Sequence, residues 1–172
     1  QKGQIETIKF LDNFRKVENN FFCYFIGGPS GKSGNEYLKE LKQTVVDLNL
    51  ESHIEFLDNL PQTEIRDLLN KSKLLIHTSK FETFGLVAAE ANAMGVPVLT
   101  TNNGSLLEIV ESDKNGYYSE NLIDGNVNNF VKELLNNNEK FNEIESNCFE
   151  KSKPYSWANT ATKIENLYKT FN

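Results

Sequence analysis

The stretch Ser79-Lys80-Phe81-Glu82-Thr83-Phe84-Gly85-Leu86-Val87-Ala88-Ala89-Glu90-Ala91-Asn92-Ala93-Met94-Gly95-Val96-Pro97-Val98 decides the reading of this chain. It passes from a loop into a helix and on into a strand. A glycine at the start of a helix lets the backbone approach a ligand closely. The unpaired first amides and the helix dipole then favour an anion such as a diphosphate. Glu82 stands before this helix and Glu90 inside it, with seven residues between them. On helical rise alone they lie ~12 Å apart along the axis, a span comparable to a nucleotide sugar with a carboxylate at each end. Carboxylates accept hydrogen bonds from vicinal hydroxyl pairs, so one suits a ribose and the other a hexose. The competing structural account makes Glu82 a helix cap and Glu90 a solvated face residue. Against it stand the apolar neighbours of Glu90 (Val87, Ala88, Ala89, Ala91 and Ala93), among which an unpaired charge would be costly.

Outward from this stretch, the chain alternates helical and extended patterns. Ile5, Ile8, Leu11, Phe14 and Val17 recur at helical spacing. The apolar run at residues 21–26 predicts a strand buried on both faces, closed by Gly27-Gly28-Pro29. A helix over 36–49, a strand over 54–57, a helix over 64–71 and a strand over 73–77 follow. Beyond the helix of the opening stretch come a strand over 96–100, a short helix near 105–111 and a short strand around Tyr117. The remainder, 124–172, reads as helical, with Asn136-Asn137-Asn138 breaking two helices. The alternation predicts the α/β class, as a Rossmann-like, doubly wound parallel sheet flanked by helices. Ligands of such sheets bind beyond the carboxyl ends of the strands, so the loops 27–35, 58–63, 78–85 and 101–105 are the ones to inspect.

Composition removes several function classes. With 172 residues the chain is one ordinary domain. Its net charge is −6, and Arg15 and Arg66 are its guanidinium groups, so it has no basic stripe for nucleic-acid phosphates. No nucleic-acid partner is expected. No apolar run reaches the ~18 residues of a membrane span. Cys23 and Cys148 lie far apart, with no metal-type spacing, and fit a reducing compartment as inert thiols. A cytoplasmic domain is expected, with a membrane-peripheral role for a longer protein left open. The chain begins Gln1-Lys2-Gly3, without a methionine, and enters a helical pattern at once, so it reads as a piece of something longer.

The loop Gly27-Gly28-Pro29-Ser30-Gly31-Lys32-Ser33-Gly34 ends like a phosphate-binding loop, but the glycine that spacing demands six residues before Lys32 is Ile26. It is better read as a backbone that a ligand approaches closely. The close acidic pair Glu143-Ile144-Glu145 lies in a polar helix, no Asp-x-Asp pair occurs, and no metal is expected. His53 and His77 are each isolated in sequence and read as structural histidines at strand ends. Hydrolysis by paired carboxylates fits poorly, because the helical separation of Glu82 and Glu90 exceeds the ~5–9.5 Å of glycosidase pairs.

The segment from Glu82 to Glu90 closely resembles the E-x7-E motif of the retaining GT-B glycosyltransferases that include sucrose and glycogen synthases. Lys2-Gly3 resembles the Lys-Gly after the first strand of their C-terminal domain, and Gly27-Gly28-Pro29-Ser30-Gly31 resembles their glycine loop. Ile54-Glu55-Phe56-Leu57 is similar to the next strand, residues 100–108 to a Gly-Gly-x-x-Glu turn, and Tyr155-Ser156-Trp157 with Tyr168 to the closing helices. The resemblance implies a nucleotide-sugar-binding C-terminal domain over 1–172, with 149–172 as closing helices. An acceptor-binding N-terminal domain and a first strand carrying an arginine would lie outside the chain.

Residue by residue, the resemblance gives Glu90 the ribose hydroxyls and Glu82 the hydroxyls of the transferred sugar. It gives the amides of Gly85, Leu86 and Val87, with the Lys2 ammonium, the diphosphate. Gly27, Gly28, Ser30 and Gly104 would line the donor cleft, and Leu57 would face the base. Glu82 and Lys2 are the catalytic candidates, and Lys2 could instead be an idle terminal lysine. Ser105 stands where the family has a second glycine and could cap the following helix. The implied enzyme is a retaining hexosyltransferase, weakly active or inactive as this domain alone, with a UDP-sugar favoured over a GDP- or ADP-sugar. The acceptor, a sugar, glycan or lipid-linked group, would be held by the absent domain. The rivals are a GT-B nucleotide-sugar epimerase and a noncatalytic nucleotide-binding module.

Overall fold

A computed structural model describes residues 2–102 and 104–171. Five strands alternate with helices in this order: α1 (Gln4–Phe14), β1 (Cys23–Ile26), α2 (Gly31–Asp47), β2 (Ile54–Leu57), α3 (Gln62–Leu69), β3 (Leu75–His77), α4 (Leu86–Ala93), β4 (Val98–Thr101), α5 (Leu106–Ile109), β5 (Gly116–Ser119), α6 (Gly125–Asn136), α7 (Asn138–Ser152) and α8 (Trp157–Lys169). Among the described residues all strand pairings are parallel, and they form two ladders, β1–β2 and β3–β4–β5. The expected α/β fold of parallel strands flanked by helices is therefore present.

One large core unites both ladders. It joins Ile8, Phe10, Leu11 and Phe14 of α1 with Leu41 and Val45 of α2, Leu99 of β4, and apolar residues of α6 and α7; Phe25, Phe56, Ile76 and Tyr117 pack against it from the strands. A second core lies under α4 and α5, built from Ala88, Ala89, Ala91, Val96, Val98, Leu106, Ile109 and Val110. Side chains of a strand alternate between faces, and β4 uses both: Val98 enters one core and Leu99 the other. The strand buried on both faces is thus β4. In β1, Tyr24 and Ile26 are exposed while Cys23 and Phe25 turn inward, which corrects the expectation of a doubly buried strand there. An unbroken apolar run says nothing about what covers each face.

Helix α2 begins five residues ahead of the expected 36, so Lys32 and Gly34 lie in its first turn. Gly34 fits there because Pro29 passes so close that a Cβ would meet its backbone at 3.3 Å. Asn137 does break two helices and caps the second, accepting from the Lys140 amide at 3.1 Å. Residue 149 falls inside α7. In α8 every residue is partly or fully exposed, and Trp157, Ile164, Leu167 and Tyr168 leave apolar surface in solvent. Among the described residues no helix is long and apolar enough to cross a membrane.

Beneath the second core, Asn115 is 1 % exposed and fully engaged. Its amide donates to the Asn92 side chain and to the Ile109 carbonyl, and its oxygen accepts from the Glu111 amide at 2.7 Å. Deleting one member of a buried polar network leaves its partners unpaired. Asn115→Ala should lower stability by ~2–3 kcal/mol, read as an earlier urea midpoint. Trp157→Ala, at a residue 89 % exposed, should stay within ~0.5 kcal/mol of the parent.

Candidate functional site

The carboxyl ends of β3 and β4 carry the site. At its centre Gly3 packs onto Thr78, just after β3. A Cβ on Gly3 would fall 2.1 Å from the Thr78 carbonyl oxygen, and Gly3 has φ +72°. Only glycine meets both conditions without strain. The Thr78 hydroxyl donates to the Gly3 carbonyl at 2.8 Å and also contacts Thr7 Oγ1 at 3.0 Å. The start of α1 is thereby fastened to the loop that holds Glu82, some eighty residues away.

This fastening delivers Lys2 to Glu82. The Lys2 Nζ lies 3.3 Å from Glu82 Oε2, and His77 Nε2 lies 3.2 Å from the same oxygen. Ser105 Oγ donates to the Glu82 carbonyl at 2.6 Å. Lys2 is thus ion-paired with Glu82 in this structure. Ser105, for which a helix cap was one alternative, makes no side-chain cap on α5 and holds the backbone of Glu82 instead. His77 is likewise no isolated structural histidine, whereas His53 is one, stacked on Phe21 with Nδ1 3.1 Å from the Phe21 carbonyl. The roles of His77, Thr78 and Ser105 escaped the sequence reading. The only signal was a serine where a glycine was expected.

Gly85 precedes α4 with φ +92°, and a Cβ there would strike Leu106 at 2.5 Å. This close seat on α5 fixes the helix N-terminus, whose first amides have no intrahelical acceptor. Leu86, Val87 and Glu90 share one exposed face of α4, while Ala88, Ala89 and Ala91 face the core. Glu90 is therefore not desolvated, as its sequence neighbours had suggested: Ala88, Ala89 and Ala91 are buried, but its own side of the helix is open. Phe84 stacks edge-on against Tyr155, whose hydroxyl donates to the Glu108 carbonyl at 3.1 Å, so the C-terminal segment braces this corner.

The glycine loop lies at the end of the other ladder. The Gly27 amide donates to the Leu57 carbonyl at 3.0 Å, and the Gly28 amide to Asn59 Oδ1 at 2.9 Å. Gly27, Gly28, Ser30 and Leu57 are all at least partly accessible. Gly104 has open space on its Cβ side; Asn103 lies outside the described residues. An open cavity of about 370 Å³ lies beyond Thr78 and Ser79, lined also by Glu6, Asn102 and Glu120. Among the described residues no cluster of His, Cys, Asp and Glu suits a metal ion. Burial pushes both thiols up to about 12, so Cys23 and Cys148 stay protonated and unreactive.

Residues 1–151 match the glycosyl transferases group 1 family. The chain belongs to that family. The chain is 30 % identical over 158 residues to a D-inositol 3-phosphate glycosyltransferase of Corynebacterium efficiens, covering 90 % of this chain and 36 % of that protein. It is 34 % identical over 119 residues to an alpha-1,3/1,6-mannosyltransferase of Dictyostelium discoideum, covering 68 % of this chain and 28 % of the other. Its fold superimposes on HepE of Anabaena in complex with UDP-glucose, with a TM-score of 0.83, 25 % identity, and coverage of 98 % of this chain and 45 % of that one. The chain spans about a third of the length of the curated relatives it matches.

Electrostatically, burial works against the charge of Glu82, but the hydrogen bonds from Lys2 and His77 outweigh it and hold the carboxyl below its ordinary 4.5. Because the folded value is depressed, the stabilisation is complete above pH 4.5 and is lost as pH falls through the lower folded value. A carboxyl-carbon NMR titration should find Glu82 titrating below 4.5, and Lys2→Met should move its midpoint upward.

Proposed function

We propose that this chain is the nucleotide-sugar-binding, C-terminal half of a retaining GT-B glycosyltransferase. The observation that carries the reading is the convergence of Lys2 and Glu82 beside the N-terminus of α4. A cation, a carboxylate and the free amides of a helix terminus are the groups that a diphosphate and its attached sugar require. The amides of Gly85, Leu86 and Val87 receive the diphosphate, and Glu90, on the same exposed face, receives the ribose hydroxyls. Gly27, Gly28, Ser30, Leu57 and Gly104 border the cleft, with the base toward Leu57.

In the reaction, the bond between the anomeric carbon and the diphosphate oxygen breaks while the acceptor oxygen bonds to that carbon from the same face. The departing phosphate takes the acceptor proton. The protein contributes position and charge: Glu82 orients the sugar, and Lys2 with the α4 amides offsets the negative charge growing on the leaving group. No metal is required in this scheme. A UDP-sugar is the proposed donor, supported by the UDP-glucose complex of HepE.

The open site and the bare apolar face of α8 suit a second domain, which would bind a sugar, glycan or lipid-linked acceptor and close the cleft. Two separate ladders, β1–β2 and β3–β4–β5, suit an upstream strand inserted between β1 and β3. The domain alone should bind donor and turn it over slowly, and the whole enzyme should work in the cytoplasm.

Calorimetry tests this with UDP-glucose, UDP-N-acetylglucosamine, GDP-mannose and UDP. A UDP-sugar should bind more tightly than GDP-mannose. Glu90→Gln should weaken UDP itself by roughly tenfold, the loss of charged hydrogen bonds to a ribose. Absence of binding for all four would favour a noncatalytic module, and transfer at an ordinary enzyme rate by this domain alone would contradict the two-domain account.

A further inference from the structure

Among the described residues, two donors meet on one atom of Glu82. Lys2 Nζ and His77 Nε2 both approach Oε2, at 3.3 and 3.2 Å. The two donors are mounted very differently. His77 is the last residue of β3, paired with Thr100 in the ladder, and its carbonyl also accepts from the Thr100 hydroxyl at 2.8 Å. Its side chain is 12 % exposed. Lys2 reaches the site on a flexible stem, with its side chain 62 % exposed.

On its flexible, exposed stem Lys2 can turn from Glu82 toward the diphosphate when donor arrives. The carboxylate then keeps one fixed partner. An ionised carboxylate only accepts hydrogen bonds, so His77 Nε2 must carry a proton. We propose that His77 is a positioning residue that holds Glu82 through Nε2–H···Oε2 and so presents Oε1 to a hydroxyl of the donor sugar. The proposal deepens the donor-binding reading and rests on it. In this arrangement Lys2 and His77 share Glu82 Oε2, and Lys2 turns to the diphosphate on donor binding while His77 remains.

The protonation state agrees with this geometry. Burial lowers the imidazole below its usual range; Glu82 opposes this and Lys2 adds to it, and these are the charged groups acting on it among the described residues. The ring is then neutral at pH 7, with its proton on Nε2 and Nδ1 bare.

The test combines a spectroscopic and a binding readout. The chain has two histidines, so nitrogen-15 NMR with a His53 variant for assignment resolves the ring of His77. The expected result without ligand is the neutral, Nε2-protonated tautomer, converting to the other tautomer or to a mixture in Glu82→Gln. In calorimetry, His77→Leu should lose at least roughly tenfold more affinity for UDP-glucose than for UDP, the loss of a hydrogen bond to a charged group. His77→Gln, whose amide nitrogen reaches nearly the same point, should recover most of that difference. An Nδ1-protonated ring, or equal losses for UDP and UDP-glucose in His77→Leu, would overturn the role of His77 while leaving the donor reading intact. A parent chain that binds neither nucleotide would overturn the donor reading and the sugar-presenting role together, even with the tautomer as expected.

Discussion

The close approach of Gly3 to Thr78 is the constraint from which the site follows. Without a side chain, Gly3 allows two backbones to touch at a distance that any Cβ would forbid. The Thr78 hydroxyl then turns the contact into a hydrogen-bonded clasp to the Gly3 carbonyl. A buried hydroxyl needs such a partner, and this one uses it to tie the first helix to the end of β3. Lys2 therefore arrives beside Glu82 as a result of packing.

What the clasp assembles is a row of complementary charge. Glu82 is held at its carbonyl by Ser105 and at its carboxylate by Lys2 and His77, so both its backbone and its side chain have defined positions. The α4 N-terminus begins nearby, seated on Leu106 through the missing side chain of Gly85. Preorganised dipoles and charges of this sort stabilise developing charge without rearranging during the reaction. In a family of sugar-transferring enzymes, that is the property a donor site needs.

Much of this was legible in the chain. The alternation of periodicities gave the α/β order, and the glycine and two glutamates of the opening stretch gave the helix terminus and its carboxylates. What stayed hidden depends on tertiary packing. The run at 21–26 is apolar throughout, yet Tyr24 and Ile26 are exposed because nothing in one strand's sequence records what covers it. Glu90 looked hemmed in by alanines, but helical geometry sends Ala88, Ala89 and Ala91 inward and Glu90 outward. His77 looked isolated because its partner is five residues on, across a tight loop whose shape no periodicity encodes.

The same reasoning explains why Ser105 is more than a departure from a glycine pair. Its hydroxyl reaches the Glu82 carbonyl, which a glycine could not do. A crystal structure of this chain soaked with UDP-glucose tests the account most directly. It should find the ribose hydroxyls on Glu90, the diphosphate on the amides of Gly85 to Val87, and Lys2 turned from Glu82 toward the phosphates. A nucleotide bound instead at Lys32, or in the cavity beside Glu6 and Glu120, with the Lys2–Glu82 pair intact, would contradict it.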